Sequence, residues 1–362
     1  MTPPSPPENS SAEPPRPRRR PRYSGKNPRR FEEKYKEHRP ELYPETIEKV
    51  MAGGKTPAGT HRPILLAEVL EVLAVRPGEV VVDCTLGYGG HSRELLGGLQ
   101  PGGRLIGLDI DPLEQPKTTQ RLREAGFGPE AFIPVRRNFA GLPQVLAELG
   151  LTGADAILAD LGVSSMQIDD PSRGFSFKVD GPLDLRLNPS RPPSAAQLLA
   201  TVPIDRLTLL LEENADEPHA TVLAGELVTL REQRPLDRTQ ALATEIREIL
   251  ARHRLSGGRE ADNDCVRRVF QALRIAVNDE FGALDALLRS LPYCLKPGGR
   301  ACILTFHSGE DRRVKKAFQA GARAGLYSAT SDEIIRPTRE EVHGNPRASS
   351  AKLRWVVRSD RS

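Results

Sequence analysis

The chain has 362 residues, of which 38% are hydrophobic and 28% charged, a composition typical of a globular protein with one or two folded domains. No apolar run approaches the roughly 20 residues that cross a bilayer, and no apolar stretch near Met1 resembles a signal peptide, so we expect a cytoplasmic protein without a membrane partner. The four cysteines form no C-x-x-C pair, which predicts reduced, buried thiols and no metal site: Cys84, Cys265, Cys294 and Cys302.

The net charge of +4 is concentrated at one end of the chain. Residues 1–30 carry eight Lys or Arg against two Glu, a charge of +6, so the rest of the chain sums to −2. The same segment contains nine prolines and cannot bury enough apolar surface to offset chain ordering. We therefore predict a disordered tail and linker over residues 1–60. Its arginines suit RNA phosphates, and a solubilising tail without a partner is the alternative.

The folded body begins with an alternation of helices and strands. Leu66, Val69, Leu70 and Leu73 have the spacing of a helix with one apolar face. Four short apolar runs follow, each ending in polar or Gly residues and separated by helix-compatible stretches: VVVDCTLG (80–87), RLIGLDID (104–111), FIPVRRNF (132–139) and ADAILADLG (154–162). Strands alternating with helices predict a doubly wound parallel sheet of the α/β class.

The alternation stops after residue 162. A long polar loop (163–190) precedes several helix patterns between 194 and 252, and strand patterning returns at RACILTF (300–306), with further strand candidates at 333–337 and 352–359. This order predicts one α/β domain interrupted by an inserted helical domain. We place the first part of the α/β domain at 61–187, the insertion at 188–262 and the second part at 263–362.

A helix within the second part carries a polar stripe. Gln271, Arg274 and Asn278 lie three and four residues apart on a helix whose other face is apolar. Spacing alone favours a solvated helix face.

The first strand leads into a glycine-rich turn, DCTLGYGGHS (83–92). Glycines there let the backbone approach a ligand, and the following helix start offers N–H donors. The second strand ends in Asp109, 20 residues after Gly89, the spacing at which an acid reaches ribose hydroxyls. The dinucleotide fingerprint has Gly where this chain has Ser92. We therefore favour S-adenosylmethionine over a pyrophosphate-bearing cofactor, with a NAD-dependent oxidoreductase as the more distant alternative.

Several further motifs are specific enough to indicate a family. They are HRPILLAEVL, GGHS, DLGVSS (160–165), QIDDP, RGFSF, DGPLDLRL (180–187), FQALRIAVNDE (270–280), TFHSGEDRRVK (305–315) and NPRASSAKLR. In this order they resemble the RsmH/MraW family of bacterial methyltransferases over about residues 61–358, with the first sixty residues outside the resemblance. The resemblance implies a Rossmann-like fold, S-adenosyl-L-methionine as cofactor, and methylation of a cytosine N4 amino group in small-subunit ribosomal RNA near the decoding centre.

The resemblance also implies roles for individual residues. Gly89, Gly90 and His91 match the loop around the methionine portion of the cofactor. Asp109 matches the ribose-binding acid, and Phe139 matches the residue beside the adenine. Asp160 and Gln167 match two further cofactor contacts, and the inserted helical domain is implied to bind RNA.

Four features depart from the family pattern, among them the DCVRRVF run ending at residue 270 and the stretch Asn214-Ala215-Asp216-Glu217. Gly309 stands where the family usually has Leu, and Pro116 is expected to interrupt the helix after Asp109.

The implied chemistry suggests catalytic candidates. A cytosine amino group is a poor nucleophile because its lone pair is delocalised into the ring, so acceptors for its hydrogens help catalysis. Asp160, at the end of a strand, is the predicted acceptor, with Ser164 on the same loop and Asp184 as further candidates. His307 is either a site residue or a scaffold.

Three basic residues near the C-terminal end of the chain suit phosphate contacts. Arg347, Lys352 and Arg354 lie in a Gly/Pro/Ser-containing segment with few acids, and a solvated loop is the equal alternative.

The sequence thus favours an rRNA (cytosine-N4)-methyltransferase that acts on free RNA or on the assembled small subunit. Two rivals remain open at this point. One is a DNA amino-methyltransferase, and the other is a non-catalytic RNA-binding ribosome assembly factor.

Overall fold

The computed structural model describes residues 63–360, so the predicted disorder of residues 1–60 lies outside the described part. Seven strands form one sheet in the order β3-β2-β1-β4-β5-β7-β6. Neighbours from β3 to β5 are parallel, whereas β7 runs antiparallel to β5 and to β6. The strands are β1 (Val80–Asp83), β2 (Arg104–Asp109), β3 (Phe132–Arg136), β4 (Ala154–Asp160), β5 (Leu295–Thr305), β6 (Tyr327–Thr330) and β7 (Lys352–Arg358). The predicted doubly wound α/β sheet is confirmed.

Helices cover both faces of the sheet. Val80 and Val82 of β1 pack in one apolar cluster and Val81 packs in another, because successive side chains of a strand point to opposite faces. The helices are α1 (Leu66–Leu73), α2 (Gly90–Leu99), α3 (Glu114–Glu124), α4 (Leu142–Glu148), α5 (Ser165–Asp169), α6 (Ala195–Thr201), α7 (Ile204–Ala215), α8 (Ala220–Arg231), α9 (Thr239–Arg252), α10 (Arg259–Asn278), α11 (Glu280–Cys294), α12 (Ser308–Arg323) and α13 (Arg339–Gly344). All four cysteines are free and buried, as predicted.

Between β4 and β5 the chain forms a helical unit with its own apolar core. Helices α6 to α9 pack with α10, and the core runs from Leu183 and Leu185 to Phe270 and Leu273. It therefore includes residues on both sides of the predicted insertion 188–262, whose boundaries stay a prediction. Across the described residues, no helix combines the length and the apolar character needed to cross a membrane.

The prediction of a strand at 333–337 is wrong. Ile335 exchanges two backbone hydrogen bonds with Leu353 as an isolated bridge, and the pairing does not continue. Pro337 has no N–H to extend a ladder. The strand at this edge of the sheet is β6, which the sequence pattern did not predict because it has only four residues and one buried side chain. That side chain is Tyr327, whose ring packs edge-on against the ring of Phe318 of α12.

Pro116 does not interrupt a helix. It is the third residue of α3, where backbone N–H groups have no acceptor within the helix, so a missing N–H costs nothing. Asp111 Oδ1 accepts from the N–H groups of Leu113 (2.8 Å) and Glu114 (3.3 Å) and thereby starts the helix.

Candidate active site

A cavity of about 820 Å³ opens at the carboxyl ends of β1, β2, β4 and β5. Strand β1 pairs with both β2 and β4, so the strand order reverses beside it, and open α/β sheets bind ligands at such a point. Eight of the nine predicted site residues line the cavity: Gly89, Gly90, His91, Asp109, Phe139, Asp160, Ser164 and Gln167.

The glycine-rich turn is held in place by α3. Gly89 has φ +82°, and a Cβ there would lie 2.7 Å from Thr118 Cγ2, so the position accepts only glycine without rearrangement. Thr118 Oγ1 donates to the Gly87 carbonyl at 2.5 Å. The guanidinium of Arg121 stacks 3.8 Å from the centre of the Tyr88 ring. The backbone of the turn therefore comes close to the cavity in one fixed conformation.

Asp109, at the end of the neighbouring strand β2, binds the backbone of the glycine-rich turn. Its Oδ2 accepts from Gly87 N (2.9 Å), and its Oδ1 accepts from Asp111 N (2.8 Å). Burial, only partly offset by these two donors, raises the pKa of Asp109 to about 6. Each carboxylate oxygen keeps a further lone pair, so the group fits a pair of ribose hydroxyls.

Asp160 lies at the end of β4 with an unsatisfied carboxylate. Its backbone N–H donates to Thr85 Oγ1 at 2.6 Å, whereas its Oδ1 is buried without a hydrogen-bond partner. His91 Nδ1 lies 3.6 Å from Oδ2, which is longer than a hydrogen bond. Burial raises the pKa of Asp160 to about 6, although the nearby His91 opposes the shift. A ligand with N–H or O–H donors would satisfy this acceptor.

Ser164 and Gln167 form the first turn of α5. Ser164 Oγ accepts from Gln167 N (3.2 Å), and Gln167 Oε1 accepts from Ser164 N (2.9 Å), which is a capping box. Gln167 Nε2 donates to Asp111 Oδ2 at 2.8 Å. Both side chains thus hold the loop after β4, and their predicted roles toward cofactor and substrate stay predictions.

Asp111 is a residue that sequence reasoning missed. It is fully buried and accepts from Arg173 Nη1 at 2.9 Å as well as from Gln167. The other Arg173 nitrogen donates to the carbonyls of Arg186 and Leu187. Asp111 therefore connects the turn after β2 to the polar segment 163–190. In the sequence, its position two residues after Asp109 was the one feature that could have indicated a role at the site.

Asp184 is the one predicted site residue that does not line the cavity. Arg186 donates to both of its oxygens, from Nε at 2.8 Å and from Nη2 at 2.6 Å. Partial burial raises the pKa of Asp184, but the bonds and charge of Arg186 outweigh it and lower the pKa overall. The structure therefore leaves Asp184 apart from the other candidates.

The polar stripe on α10 faces the cavity, so the solvated face favoured by its spacing is wrong. Gln271 Nε2 donates to the Asn214 carbonyl at 3.0 Å. Arg274 makes two 2.9 Å bonds to Glu280, and Asn278 Nδ2 donates to the Leu185 carbonyl at 2.8 Å. A helical period shows that side chains share a face, but it does not distinguish solvent from a cavity.

His307 and Glu310 complete the wall at the end of β5. Glu310 Oε2 accepts from Phe306 N at 2.8 Å, and His307 Nε2 lies 3.1 Å from Glu310 Oε1 without hydrogen-bond geometry. The His307 ring packs 5.7 Å from the ring of Phe281. A Cβ on Gly309 would lie 2.7 Å from Phe281 Cζ, which explains why glycine suits this chain where the resembling family usually has Leu.

Two of the three predicted phosphate-binding residues are occupied within the protein. Arg354 is buried and donates to Asp311 at 2.7 Å, and Lys352 lies 3.4 Å from the same carboxylate, so the expectation is wrong for both. Arg347 lines the mouth of the cavity and pairs with Asp169 at 2.9 Å, with 39% of its side chain exposed. Of the three basic residues, Arg347 is the one that lines the cavity.

Residues 58–359 match the model of the MraW methylase family. Ribosomal RNA small subunit methyltransferase H 1 of Lachnoclostridium phytofermentans is 50% identical over 343 residues, which cover 94% of this chain and 93% of that protein. The protein of the same name from Agathobacter rectalis is 48% identical over 344 residues, covering 95% and 98%. Ribosomal RNA small subunit methyltransferase H of Symbiobacterium thermophilum is 41% identical over 314 residues, covering 82% and 96%.

The first two of these matches correct one expectation. Because they cover 94% and 95% of this chain, they extend into residues 1–60, which the motifs placed outside the resemblance.

The cavity fits the cofactor of a methylase. It offers a turn that only glycine can make, an acid at ribose spacing, and a second acid whose Oδ1 atom is buried without a hydrogen-bond partner. The enzyme uses S-adenosyl-L-methionine. Because the family model spans residues 58–359 and a relative is 50% identical over 343 residues, the chain belongs to the MraW methylase family.

Proposed function

We propose that the enzyme transfers the methyl group of S-adenosyl-L-methionine to the N4 amino group of a cytosine in small-subunit ribosomal RNA, near the decoding centre. The names of the relatives support the RNA. The observation that carries the amino-group chemistry is the Asp160 carboxylate. Its Oδ1 atom is buried and lacks a hydrogen-bond partner, and the residue shares its cavity with the glycine-rich turn.

The cofactor would lie along the ends of β1 to β4. Gly89, Gly90 and His91 would hold its methionine portion, because this turn brings backbone close to the cavity. Asp109 would accept from the ribose hydroxyls, and Phe139, at the start of the turn after β3, would lie beside the adenine. Bound there, the cofactor supplies an electrophilic methyl group.

Asp160 would act on the target base. By accepting a hydrogen bond from the N4 amino group, it would draw the nitrogen lone pair out of conjugation and turn it toward the methyl group. Holding the nitrogen in line in this way can supply roughly 7–11 kcal/mol of the barrier. The base must leave its helix to enter the cavity. Ser164, on the same loop, and Asp184 stay secondary catalytic candidates.

Gln167 would act through the loop that it holds. Its side chain connects Ser164 to Asp111, so it keeps the segment after β4 against the turn after β2. That arrangement keeps the loop after Asp160 close to the turn after Asp109, at the cavity that both acids line.

The helical unit between β4 and β5 would contribute the RNA surface, and the basic arm of residues 1–30 would add phosphate contacts without fixed geometry. Such an enzyme would work in the cytoplasm, on free rRNA or on the assembled small subunit.

One experiment separates the candidate substrates. A tritiated methyl donor is offered with small ribosomal subunits, naked small-subunit rRNA and duplex DNA, and the labelled nucleosides are identified by mass spectrometry. We expect N4-methylcytidine from one or both RNA substrates and none from DNA. Asp160→Asn is the matched control, since it keeps the shape of the side chain and removes its charge. Label in DNA, on another base or in no substrate would contradict the proposal.

A further inference from the structure

We propose that His91 is a positioning residue for proton transfer: its Nδ1 atom sets the charge of the Asp160 carboxylate and takes up the proton that methyl transfer releases. This inference rests on the proposed function, because it gives Asp160 its partner. It goes further by assigning the side chain of His91 a task in the reaction, apart from the contact of its loop with the cofactor.

The tautomer of His91 follows from its surroundings. The residue is 6% exposed, and its Nε2 lies 3.0 Å from the Ile64 carbonyl oxygen. A carbonyl oxygen only accepts hydrogen bonds, so Nε2 carries a hydrogen and donates. In the neutral ring, Nδ1 is then a bare acceptor.

That bare nitrogen faces Asp160. Nδ1 lies 3.6 Å from Asp160 Oδ2, and Oδ1 has no hydrogen-bond partner. If Asp160 is ionised and His91 is neutral, two lone pairs face each other in a buried site, which is unfavourable. A proton on either atom makes the contact attractive, so the proton-free pair is a good acceptor for one proton.

Three other titratable groups face this pair. Asp83 on β1 already accepts from Ser92 Oγ at 2.6 Å and from Thr85 N at 3.0 Å. Glu310 on α12 accepts from Phe306 N, and Cys302 on β5 stays a thiol because burial raises its pKa. Among the described residues, His91 is the only basic side chain within ion-pair distance of Asp160.

The proton has a complete path. As the N4–carbon bond forms and the methyl–sulfur bond breaks, the electron pair of that bond stays on sulfur, and N4 becomes a cation that must lose one proton. The reactive form of the pair carries no proton on Asp160 or on His91 Nδ1, so Asp160 accepts the proton from N4 and passes it to His91 Nδ1. A carboxylate and an imidazolium then face each other, a stable pair, until the proton leaves to solvent with the product.

Two substitutions separate the two contacts of the His91 ring. In His91→Gln the amide nitrogen takes the place of Nε2 and can still donate to Ile64, while nothing replaces Nδ1. In His91→Asn the amide takes the place of Nδ1, and the Ile64 contact is lost. We would measure single-turnover methylation from pH 5 to 9, and cofactor affinity by calorimetry, with the full-length protein and the substrate that the wild type methylates.

We expect His91→Gln to lower the plateau rate by about 10- to 100-fold. It should also move the acidic limb of the profile to lower pH by about one unit, because the reactive form is the proton-free pair and Asp160 alone holds a proton less tightly than the pair does. Cofactor affinity should stay within about 3-fold, and His91→Asn should not restore the rate, because an amide in the place of Nδ1 does not take up a proton. A profile of unchanged shape in His91→Gln would overturn the inference, because a merely structural role does not move a pH limb.

A second measurement needs no activity. Nitrogen NMR of the wild type should show His91 with hydrogen on Nε2, and the Nδ1 resonance of His91 should change in Asp160→Asn because the facing carboxylate charge is removed. An unchanged Nδ1 resonance would overturn the inference even if the His91 variants fail to fold. The proposed function fails separately, since that failure is the absence of N4-methylcytidine from the wild-type reaction.

Discussion

Asp109 Oδ1 accepts a hydrogen bond from the backbone N–H of Asp111 at 2.8 Å. Asp109 is the last residue of β2 and Asp111 follows it by two residues, but the two carboxylates have different surroundings. Asp109 faces the cavity beside Gly87, whereas Asp111 is fully buried and binds Arg173 and Gln167. A single turn therefore couples the acid predicted to hold the cofactor to the segment that carries Asp160 and Ser164.

Replacing Asp109 should weaken cofactor binding. Two ribose hydroxyls would lose a charged acceptor, and hydrogen bonds to charged groups contribute about 1.5–3 kcal/mol, so Asp109→Ala should bind S-adenosyl-L-methionine roughly 10- to 150-fold more weakly. Calorimetry measures the affinity, and circular dichroism checks the fold. Unchanged affinity in a folded variant would remove Asp109 from the site.

Asp160→Asn should separate chemistry from binding. If the carboxylate positions the amino group, single-turnover methylation should fall by at least 100-fold, while cofactor affinity changes by less than about 10-fold. Both are measured on the same preparation, by rapid quench and by calorimetry. Equal losses would make Asp160 a cofactor contact alone, and the catalytic role would then pass to Ser164 or Asp184.

The same substitution should stabilise the cofactor-free protein at high pH. The pKa of Asp160 is about 6 in the folded state and near 3.8 when unfolded, so the folded state binds the proton more tightly. The stabilisation that the protonated acid provides is complete below pH 3.8 and is lost as pH rises through 6. At pH 8 the free energy of unfolding of Asp160→Asn should therefore be about 1–3 kcal/mol higher than that of the wild type.

Urea unfolding at several pH values measures this difference. The gain should largely disappear at pH 3, below the unfolded-state pKa, where the wild-type carboxyl is largely protonated in both states. A gain of the same size at both pH values would mean that packing, and not ionisation, causes it.

The buried pair of Arg173 and Asp111 should be important for stability. Arg173→Met would leave Asp111 as an uncompensated buried charge, so we expect a loss of about 3–5 kcal/mol in the free energy of unfolding. The double variant Arg173→Met, Asp111→Asn removes that charge and should recover part of the loss. If the double variant is less stable than the single one, the buried charge is not the source of the effect.

The basic arm should increase the salt dependence of RNA binding. If residues 1–30 neutralise about four phosphates, deleting them should lower the slope of log affinity against log salt by roughly 3 units. Cofactor affinity should not change, because the glycine-rich turn begins some fifty residues later. Filter binding across a salt series tests this, and parallel lines for the full-length and truncated proteins would show that the arm does not touch RNA.

The sequence by itself determined most of the sheet and the cofactor end of the site. Apolar runs separated by helix-compatible stretches identified four parallel strands, and the turn at 83–92 with Asp109 identified the cofactor end of the cavity. These signals are local: each depends on a period, a glycine or a spacing within about 25 residues. A backbone hydrogen-bonding pattern and a strand-to-helix turn are properties of short segments, so a short segment predicts them.

Only the tertiary structure decided what faces the cavity. Gln271, Arg274 and Asn278 point into it, although their spacing equally suits solvent, and Asp184 does not line it, although its motif accompanies the family's site. Asp111 and Arg173 lie 62 residues apart in the chain and meet only after folding. Partners at such distances are chosen by packing and by the need to pair every buried charge, and neither can be read from the neighbouring residues.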